Sequence, residues 1–143
     1  MWRENLSFHQ LGEICSGCNK LLEMCHPEME KFFMWAKSFN EDLHISEGWR
    51  SQEDQAKDFD EGRSELKWPM SKHNFTMNGY PYSLALDLFQ MDEHMRTKYD
   101  HNFYEQLYNE ALEAGFSIRW GGSFKSLQDS DHFELIISNQ FDA

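Results

Sequence analysis

The chain has 143 residues, a length that suits one domain with a substantial core and leaves no room for a second full domain. Its composition, 40% hydrophobic and 15% aromatic, is that of a globular protein and excludes general disorder. The formal net charge of −12 argues against a nucleic-acid-binding protein, because phosphate binding needs clustered lysine and arginine side chains.

The first predicted helix runs from Leu11 to Cys25, where apolar residues recur at helical spacing. It carries the three cysteines, of which Cys15 and Cys18 form a C-x-x-C motif. A four-ligand zinc site would need Cys25 and His26 as well, and no second C-x-x-C follows. We therefore expect the cysteines to be small, buried packing residues that stay reduced.

The middle of the chain is predicted to alternate short elements. Pro27 suits the first turn of a second helix, which is expected to end near Ser38. A short strand follows at residues 43–46. Ser51, with Asp54 three residues later, is typical of a helix N-cap and predicts a third helix that includes Phe59. Residues 62–82 are polar and rich in turn-forming residues, and they are predicted to form a long loop.

The second half of the chain is predicted to contain three strands and a helix. The strands lie at residues 84–89, 116–120 and 132–137, and the helix at residues 100–114 stops at Gly115. Helices that come first, followed by strands mixed with helices, predict an α+β single domain. Its N-terminal helices are expected to pack on a small antiparallel sheet.

Three short segments hold the residue types that hydrolytic zinc chemistry requires. His73, Asp87 and His132 could close on one zinc ion and leave the fourth coordination position for the attacking water. Asp129 and Asp131 both lie close to His132 in sequence, and on spacing alone either carboxylate could act as a base. The other histidines are expected to be solvated residues without a ligand role: His9, His26, His44, His94 and His101.

Four motifs stand in an order that resembles a known family. They are Glu47-Gly48-x-Arg50-Ser51 with Gln55, then Ser71-x-His73 with Ala85-x-Asp87, then Trp120-Gly121-Gly122, and finally Asp129-x-x-His132-Phe133-Glu134-Leu135. On these motifs the chain resembles the zinc D-alanyl-D-alanine carboxypeptidase-like peptidases, and in particular the phage endolysins that are L-alanyl-D-glutamate endopeptidases. The resemblance covers roughly residues 27–137 of a single domain at 1–143, with residues 1–26 as an N-terminal helical extension.

The resemblance implies a role for each site residue. Zinc would be held by His73, Asp87 and His132. Asp129 would be the general base, and Arg50 would steady the oxyanion or a substrate carboxylate. Gln55 and Ser71 would support the orientation of substrate or of the ligands. Glu134 alternates away from Phe133 on its strand and is expected beside the ligands or on the surface.

One departure from the family pattern concerns the spacing of two ligands. The family pattern places histidine and aspartate seven positions apart, whereas His73 and Asp87 are 14 apart, and Ser83 stands where a glycine is usual. The extra residues are predicted to be an inserted loop. Since loops lengthen at little cost in free energy, both ends can still meet at one metal ion.

The expected function is therefore a zinc peptidase that cuts the L-Ala-D-Glu bond in peptidoglycan stem peptides during phage-induced host lysis. Two alternatives remain: a D-Ala-D-Ala carboxypeptidase or dipeptidase of the same fold, and a non-catalytic phage structural or binding domain. The N-terminal residues lack the apolar run of a secretory signal. We expect a monomer without nucleic-acid partners or stable membrane association, held in the host cytoplasm until a holin opens the membrane.

Overall fold

The computed structural model describes residues 14–124 and 128–136. Within them lie four helices: α1 (Ser16–Glu23), α2 (Pro27–Phe39), α3 (Gln52–Asp60) and α4 (His101–Glu113). The strands are β1 (Leu43–Glu47), β2 (Thr76–Met77), β3 (Tyr80–Pro81), β4 (Ala85–Met91), β5 (Thr97–Lys98), β6 (Ile118–Trp120) and β7 (His132–Leu135). Two 3₁₀ turns cover Lys72–Asn74 and Gly121–Ser123. None of these helices combines the length and apolar character that crossing a bilayer requires.

The main sheet is antiparallel and has the order β1-β4-β7-β6, with the short β5 paired to the far end of β4. The α+β prediction, with helices against a small antiparallel sheet, is confirmed. β4 lies at the centre of this sheet and is mostly buried, which agrees with its compact apolar sequence.

The sheet has one face toward the helices and one face toward the candidate site. Phe133 of β7 points to the helices, where its ring lies 5.4 Å from that of Phe32 on α2 and 6.2 Å from that of Tyr104 on α4. Its neighbours His132 and Glu134 point the other way, because side chains alternate along a strand. Burial of the aromatic face therefore sets the register that presents the two polar side chains on the opposite face.

The helices that follow the first one begin close to the residues that the sequence predicts. Pro27 begins α2, and the Ser51 hydroxyl accepts a hydrogen bond from the Asp54 amide at the start of α3. Asp100 caps α4 in the same way through the Asn102 amide. These caps satisfy amides that have no partner within their helix, which explains why each helix begins where it does.

The first helix differs from its prediction. It spans Ser16–Glu23, with Cys15 as the N-cap, while Leu11 lies outside the described residues. Cys25 falls beyond the helix and, like Cys18, is buried, but Cys15 is exposed. The expectation that all three cysteines are buried packing residues is therefore wrong for Cys15, because a cap lies at the solvent-facing end of its helix.

The predicted long loop at 62–82 contains a hairpin that the sequence analysis missed. β2 and β3 pair through a turn at Asn78 and Gly79, whose φ angles are +54° and +83°. Asparagine followed by glycine is the strongest short signal for such a turn, since both positions need a positive φ. The additional residues between His73 and Asp87 thus form an ordered hairpin, with both ends close to the sheet.

Candidate metal centre

Three side chains meet on the polar face of the sheet. His73 Nε2 lies 3.2 Å from His132 Nδ1 and 3.3 Å from Asp87 Oδ1, and His132 Nδ1 lies 3.1 Å from that same oxygen. All three residues are at least nine-tenths buried. These three atoms form a nearly equilateral triangle, which we call the donor triangle.

Strand register brings two members of the donor triangle together. Asp87 of β4 stands directly opposite His132 of β7. Side chains at directly opposed positions of an antiparallel pair share one face and approach closely. Two residues that lie 45 positions apart in sequence therefore become neighbours through a single strand pairing.

The third member, His73, lies on the 3₁₀ turn Lys72–Asn74. The Ser71 hydroxyl accepts a hydrogen bond from the His73 amide, and the Asn74 side chain accepts one from the Ser71 amide, so the turn is closed at both ends. The His73 carbonyl accepts a bond of 2.8 Å from the Arg50 amide. His73 is thus anchored to the segment that follows β1, and this anchoring is independent of the hairpin.

Each imidazole is hydrogen-bonded through the nitrogen that lies outside the donor triangle, so its other nitrogen faces the other two donor atoms. His73 Nδ1 lies 2.7 Å from the Gly48 carbonyl, so it carries the proton and leaves Nε2 as an acceptor. His132 Nε2 lies 2.9 Å from Glu134 Oε1, so Nε2 carries a proton and Nδ1 is the nitrogen that faces the other two donor atoms. Contacts of this kind orient histidines in metal sites and raise their basicity as ligands.

The donor triangle fits zinc in size and in chemistry. Ligand atoms at Zn–N and Zn–O distances of about 2.1 Å in a tetrahedral site are separated by about 3.4 Å, within a few tenths of an ångström of the values found here. The observed separations are 3.1 to 3.3 Å. Two neutral imidazole nitrogens and one carboxylate oxygen leave a fourth position, as in hydrolytic zinc sites. The donor triangle consists of the three residues that the sequence predicts as zinc ligands.

The charges of the side chains in the donor triangle also suit a bound cation. Burial opposes ionisation of Asp87, but the two histidines hold its pKa well below the usual range. Burial likewise opposes a charged His132, but its bonds to Asp87 and Glu134 raise its pKa to about 10. Without a metal ion, His132 therefore carries a proton that a bound cation would displace.

Two aspartates stand beside the donor triangle. A carboxylate oxygen of each lies within 4.8 Å of an oxygen of Asp87. Burial, and after it the hydrogen bond with Asp129, raise the pKa of Asp131 to about 8. Asp131 is therefore the protonated member of the pair at neutral pH. Asp129 lines the groove above the donor triangle, so the geometry favours Asp129 over Asp131 as the base.

The segment that carries Asp129 is held by Trp120 and Gly121. The Trp120 indole donates a bond of 2.7 Å to the Ser130 carbonyl. The Gly121 carbonyl accepts a bond of 3.0 Å from the Asp129 amide. A Cβ atom at Gly121 would overlap the Asp129 carbonyl oxygen and crowd His132. Glycine is required here because two backbone segments touch beside the site.

Arg50 lines the same groove as Asp129, and three side chains hold it. Its Nε lies 2.6 Å from Glu47 Oε1 and 3.1 Å from Asp58 Oδ2, and its Nη1 donates to Gln55 Oε1 at 2.7 Å. Burial opposes the charge, but the bond to Glu47 and the nearby acids, Asp87 among them, raise the pKa of Arg50. The guanidinium is therefore a fixed, fully charged group at the wall of the groove.

Gln55 lies against Arg50 and is not part of the groove lining. It is completely buried and bonded to Arg50, Asn74, Ser64 and the Leu66 carbonyl. This placement lets Gln55 hold Arg50 in position, and its support of substrate or ligand orientation stays a prediction. Ser71 lines the groove but uses its hydroxyl to cap the His73 turn.

Glu134 and Asn74 support the donor triangle from outside it. Glu134, expected beside the ligands or on the surface, is buried against His132, because two residues apart on a strand they share one face. Sequence reasoning missed the contribution of Asn74. Asn74 joins the His73 turn to the Arg50 carbonyl and to Gln55. Its place three residues after Ser71 resembles a capping box, which was a readable signal.

The groove is small and lined mainly by polar side chains. Its volume is about 220 Å³. The lining includes Arg50, Arg63, Ser64, Glu65, Leu66, Ser71, Lys72, His73, Phe124, Asp129, His132 and Glu134. Three cations therefore face one groove in a chain whose net charge is −12. Three acids, Glu65, Asp129 and Glu134, line the groove as well, so its charges are mixed, and Arg50 is a fixed cation at its wall that can pair with a ligand carboxylate.

Comparison with known proteins points to the same chemistry. Residues 68–135 match a family model described as D-alanyl-D-alanine carboxypeptidase. The fold is similar to the crystal structure of the Serratia marcescens L-Ala D-Glu endopeptidase ChiX, with 25% sequence identity and a TM-score of 0.67. That alignment covers 91% of this chain and 96% of the other. No curated protein sequence matches the chain significantly.

Proposed function

We propose that this chain, a member of the D-alanyl-D-alanine carboxypeptidase-like peptidases, is a zinc-dependent peptidoglycan peptidase that cleaves the L-Ala-D-Glu bond of stem peptides. The observation that carries the proposal is the donor triangle, with Asp129 beside it and one groove open above both. The choice of bond is supported by the similarity to an L-Ala D-Glu endopeptidase over nearly its whole length.

In this proposal His73, Asp87 and His132 hold the metal ion. When bound there, zinc supplies the Lewis acidity that lowers the pKa of a water molecule and polarises a carbonyl group. Gly48 and Glu134 keep the two imidazoles in the required tautomers. The aromatic face of the sheet keeps the ligands in place behind them.

Asp129 performs the proton transfers. It accepts a proton from the attacking water as the new C–O bond forms at the carbonyl carbon of L-Ala. It then gives that proton to the amide nitrogen of D-Glu as the C–N bond breaks. The products are a carboxylate on L-Ala and a free amine on D-Glu. Asp131, whose raised pKa keeps it protonated at neutral pH, is hydrogen-bonded to Asp129 and can hold that carboxylate in place.

Arg50 supplies fixed positive charge at the groove wall. The residue that follows the scissile bond carries a free carboxylate in both D-Glu of the stem peptide and terminal D-Ala. A guanidinium locked by Glu47, Asp58 and Gln55 can bind such a carboxylate, or the oxyanion, without reorganising during the reaction. This feature supports a substrate with a carboxylate next to the cleaved bond. Both the L-Ala-D-Glu bond and the D-Ala-D-Ala bond have such a carboxylate.

Mass spectrometry of digested muropeptides distinguishes the candidates. The proposal expects a released peptide that begins with D-Glu, together with a glycan strand that keeps L-Ala and gains no reducing ends. Loss of a single C-terminal D-Ala would instead identify a carboxypeptidase, as the description of the family model suggests. Unchanged muropeptides in the presence of zinc would favour the non-catalytic binding domain.

The proposal extends to biological context. We place the protein as a monomeric phage endolysin, retained in the host cytoplasm until a holin permeabilises the membrane, with peptidoglycan rather than nucleic acid or membrane as its partner. The motif order from Glu47 to Leu135 supports this assignment. Expression in a Gram-negative host tests this assignment. Cells should lyse rapidly only after the membrane is permeabilised, and cells that express an Asp129→Asn variant should stay intact.

A further inference from the structure

A second cluster of metal-binding side chains lies away from the donor triangle. The Sγ atoms of Cys15 and Cys18 and Nδ1 of His44 all lie within 4.8 Å of one another. His44 Nδ1 is 3.9 Å from Cys15 Sγ and 3.8 Å from Cys18 Sγ. The two cysteines belong to the start of α1, and His44 belongs to β1, at the edge of the main sheet.

We propose that Cys15, Cys18 and His44 form a second metal site, selective for zinc or a similarly thiophilic divalent cation. Sulfur and nitrogen ligands of a tetrahedral zinc ion are separated by about 3.6 Å, given bond lengths of about 2.3 and 2.1 Å. The observed separations are longer by a few tenths of an ångström, a gap that small rotations of the exposed Cys15 and half-buried His44 side chains can close. Thiolate ligands favour zinc over magnesium or calcium.

Backbone amides are already directed at both sulfur atoms. The Cys18 amide lies 3.4 Å from Cys15 Sγ, and the Ile45 amide lies 3.4 Å from Cys18 Sγ. These amide contacts hold both sulfur atoms in position, as outer contacts orient the ligands of other metal sites. The first of these bonds follows from the C-x-x-C spacing, because Cys15 caps the helix that contains Cys18.

The imidazole of His44 is also positioned in advance. Its ring stacks on Phe89 of the neighbouring strand, with centroids 5.4 Å apart and planes 21° apart. His44 and Phe89 are register partners in the β1–β4 pairing, so the sheet holds this stack in place. The ligand set therefore joins a helix end to a sheet edge, and metal binding would fasten α1 to the sheet.

This ligand set differs from the four-ligand site with Cys25 and His26 that the sequence argues against. Cys25 Sγ donates to the Leu22 carbonyl at 3.1 Å, and His26 Nδ1 accepts from the Glu28 amide at the start of α2. Neither belongs to the cluster. The third ligand is His44, which lies 26 positions beyond Cys18, so neither motif spacing nor proximity in sequence could have identified it. His44 was expected to be a solvated residue without a ligand role, and it is half-buried between sulfur and an aromatic ring.

Cobalt binding to the whole, reduced protein tests the proposal. Co²⁺ held by thiolates gives a sulfur-to-cobalt charge-transfer band in the near ultraviolet, whereas the His-Asp-His donor triangle has no sulfur to produce one. The wild type should take up two equivalents of Co²⁺ and show the band. The His73→Ala variant should lose about one equivalent and keep the band, which makes the result independent of the proposed peptidase function.

Variants at the cysteines decide the outcome. Cys15→Ser, at an exposed position where folding is not at risk, should abolish or strongly weaken the band and leave peptide hydrolysis unchanged. Cys18→Ser and His44→Asn should weaken it as well, whereas Cys25→Ser is the matched control and should keep it. The proposal is overturned if the reduced wild type shows no band, or if Cys15→Ser retains the band in full.

Discussion

At the scale of single residues, the site depends on which nitrogen of each imidazole is free. The Gly48 carbonyl accepts a hydrogen bond from His73 Nδ1, and Glu134 Oε1 accepts one from His132 Nε2. The opposite nitrogens therefore face each other, at 3.2 Å, with Asp87 as the third donor. A histidine with the other tautomer would direct a proton at the metal ion, so these outer contacts are as necessary as the ligands.

We predict that loss of the Glu134 carboxylate weakens zinc binding. Glu134→Ala should raise the Kd for zinc by about 10- to 100-fold, because His132 loses the partner that orients it. Glu134→Gln keeps an oxygen acceptor and should retain most of the affinity. Competition with a chelating dye measures both, and Glu53→Gln on the exposed face of α3 is the control. Equal affinities for Glu134→Ala and the wild type would contradict this role.

A second prediction separates the two aspartates. Asp129→Asn should lower kcat by about 10²- to 10⁴-fold while zinc stays bound, because the general base is removed. Asp131→Asn should have a much smaller effect, since burial already keeps Asp131 protonated at neutral pH. Steady-state hydrolysis with zinc content measured in parallel checks the pair. The opposite ranking would assign the base to Asp131.

At the scale of elements, strand register and turns bring the site together. The Asp87–His132 pairing follows from the apolar alternation around Phe133, which a sequence can reveal. The hairpin between His73 and Asp87 was readable from Asn78-Gly79 but was predicted as a loop. The approach of Gly121 to the Asp129 backbone was not readable, because it depends on a contact between two backbone segments that residue types alone do not encode.

The packing at Gly121 leads to a third prediction. Gly121→Ala should displace the Asp129 backbone, so activity should fall by at least about 10-fold while the three ligands still bind zinc. Gly17→Ala is the matched control, because open space surrounds that position and alanine is the better helix former. Activity and zinc content are measured for both. A fully active Gly121→Ala variant would show that the contact does not position Asp129.

At the scale of the whole molecule, the metal-free protein should respond to pH in a characteristic way. The pKa of His132 rises from 6.5 to about 10 in the folded state, and that of Asp131 rises from 3.8 to about 8. Both raised values mean that folding favours the protonated forms. Their stabilisation is complete at low pH and is lost as pH rises through the folded pKa values.

The fourth prediction follows from this linkage. In the presence of a chelator, the Tm should fall as pH rises from about 6.5 to about 10, and His132→Asn should reduce that slope. With zinc, the trend should reverse, because deprotonation of His132 favours metal binding. Differential scanning calorimetry in both conditions checks this. A chelator-treated protein whose Tm does not change in that range would contradict the coupling between Asp87, His132 and Glu134.

The motifs of the sequence led to the fold class and to the ligands His73, Asp87 and His132, because motif order and residue type are visible along the chain. Roles that depend on packing were not visible. Gln55 belonged to a recognisable motif, yet it is buried under Arg50, and His44 had no motif, yet it faces two sulfur atoms. Burial and contact between distant segments decide such roles, and a linear pattern does not encode them directly.

The most direct test of the central claim is zinc-dependent hydrolysis in a protein that lacks the cysteine cluster. In a Cys15→Ser background, chelation should abolish muropeptide cleavage, and one equivalent of zinc should restore it with a new N-terminal D-Glu. Asp87→Asn in the same background should bind zinc weakly and remain inactive. Full cleavage by the chelated protein, or restored cleavage in Asp87→Asn at one equivalent of zinc, would contradict the assignment of the donor triangle as the catalytic metal site.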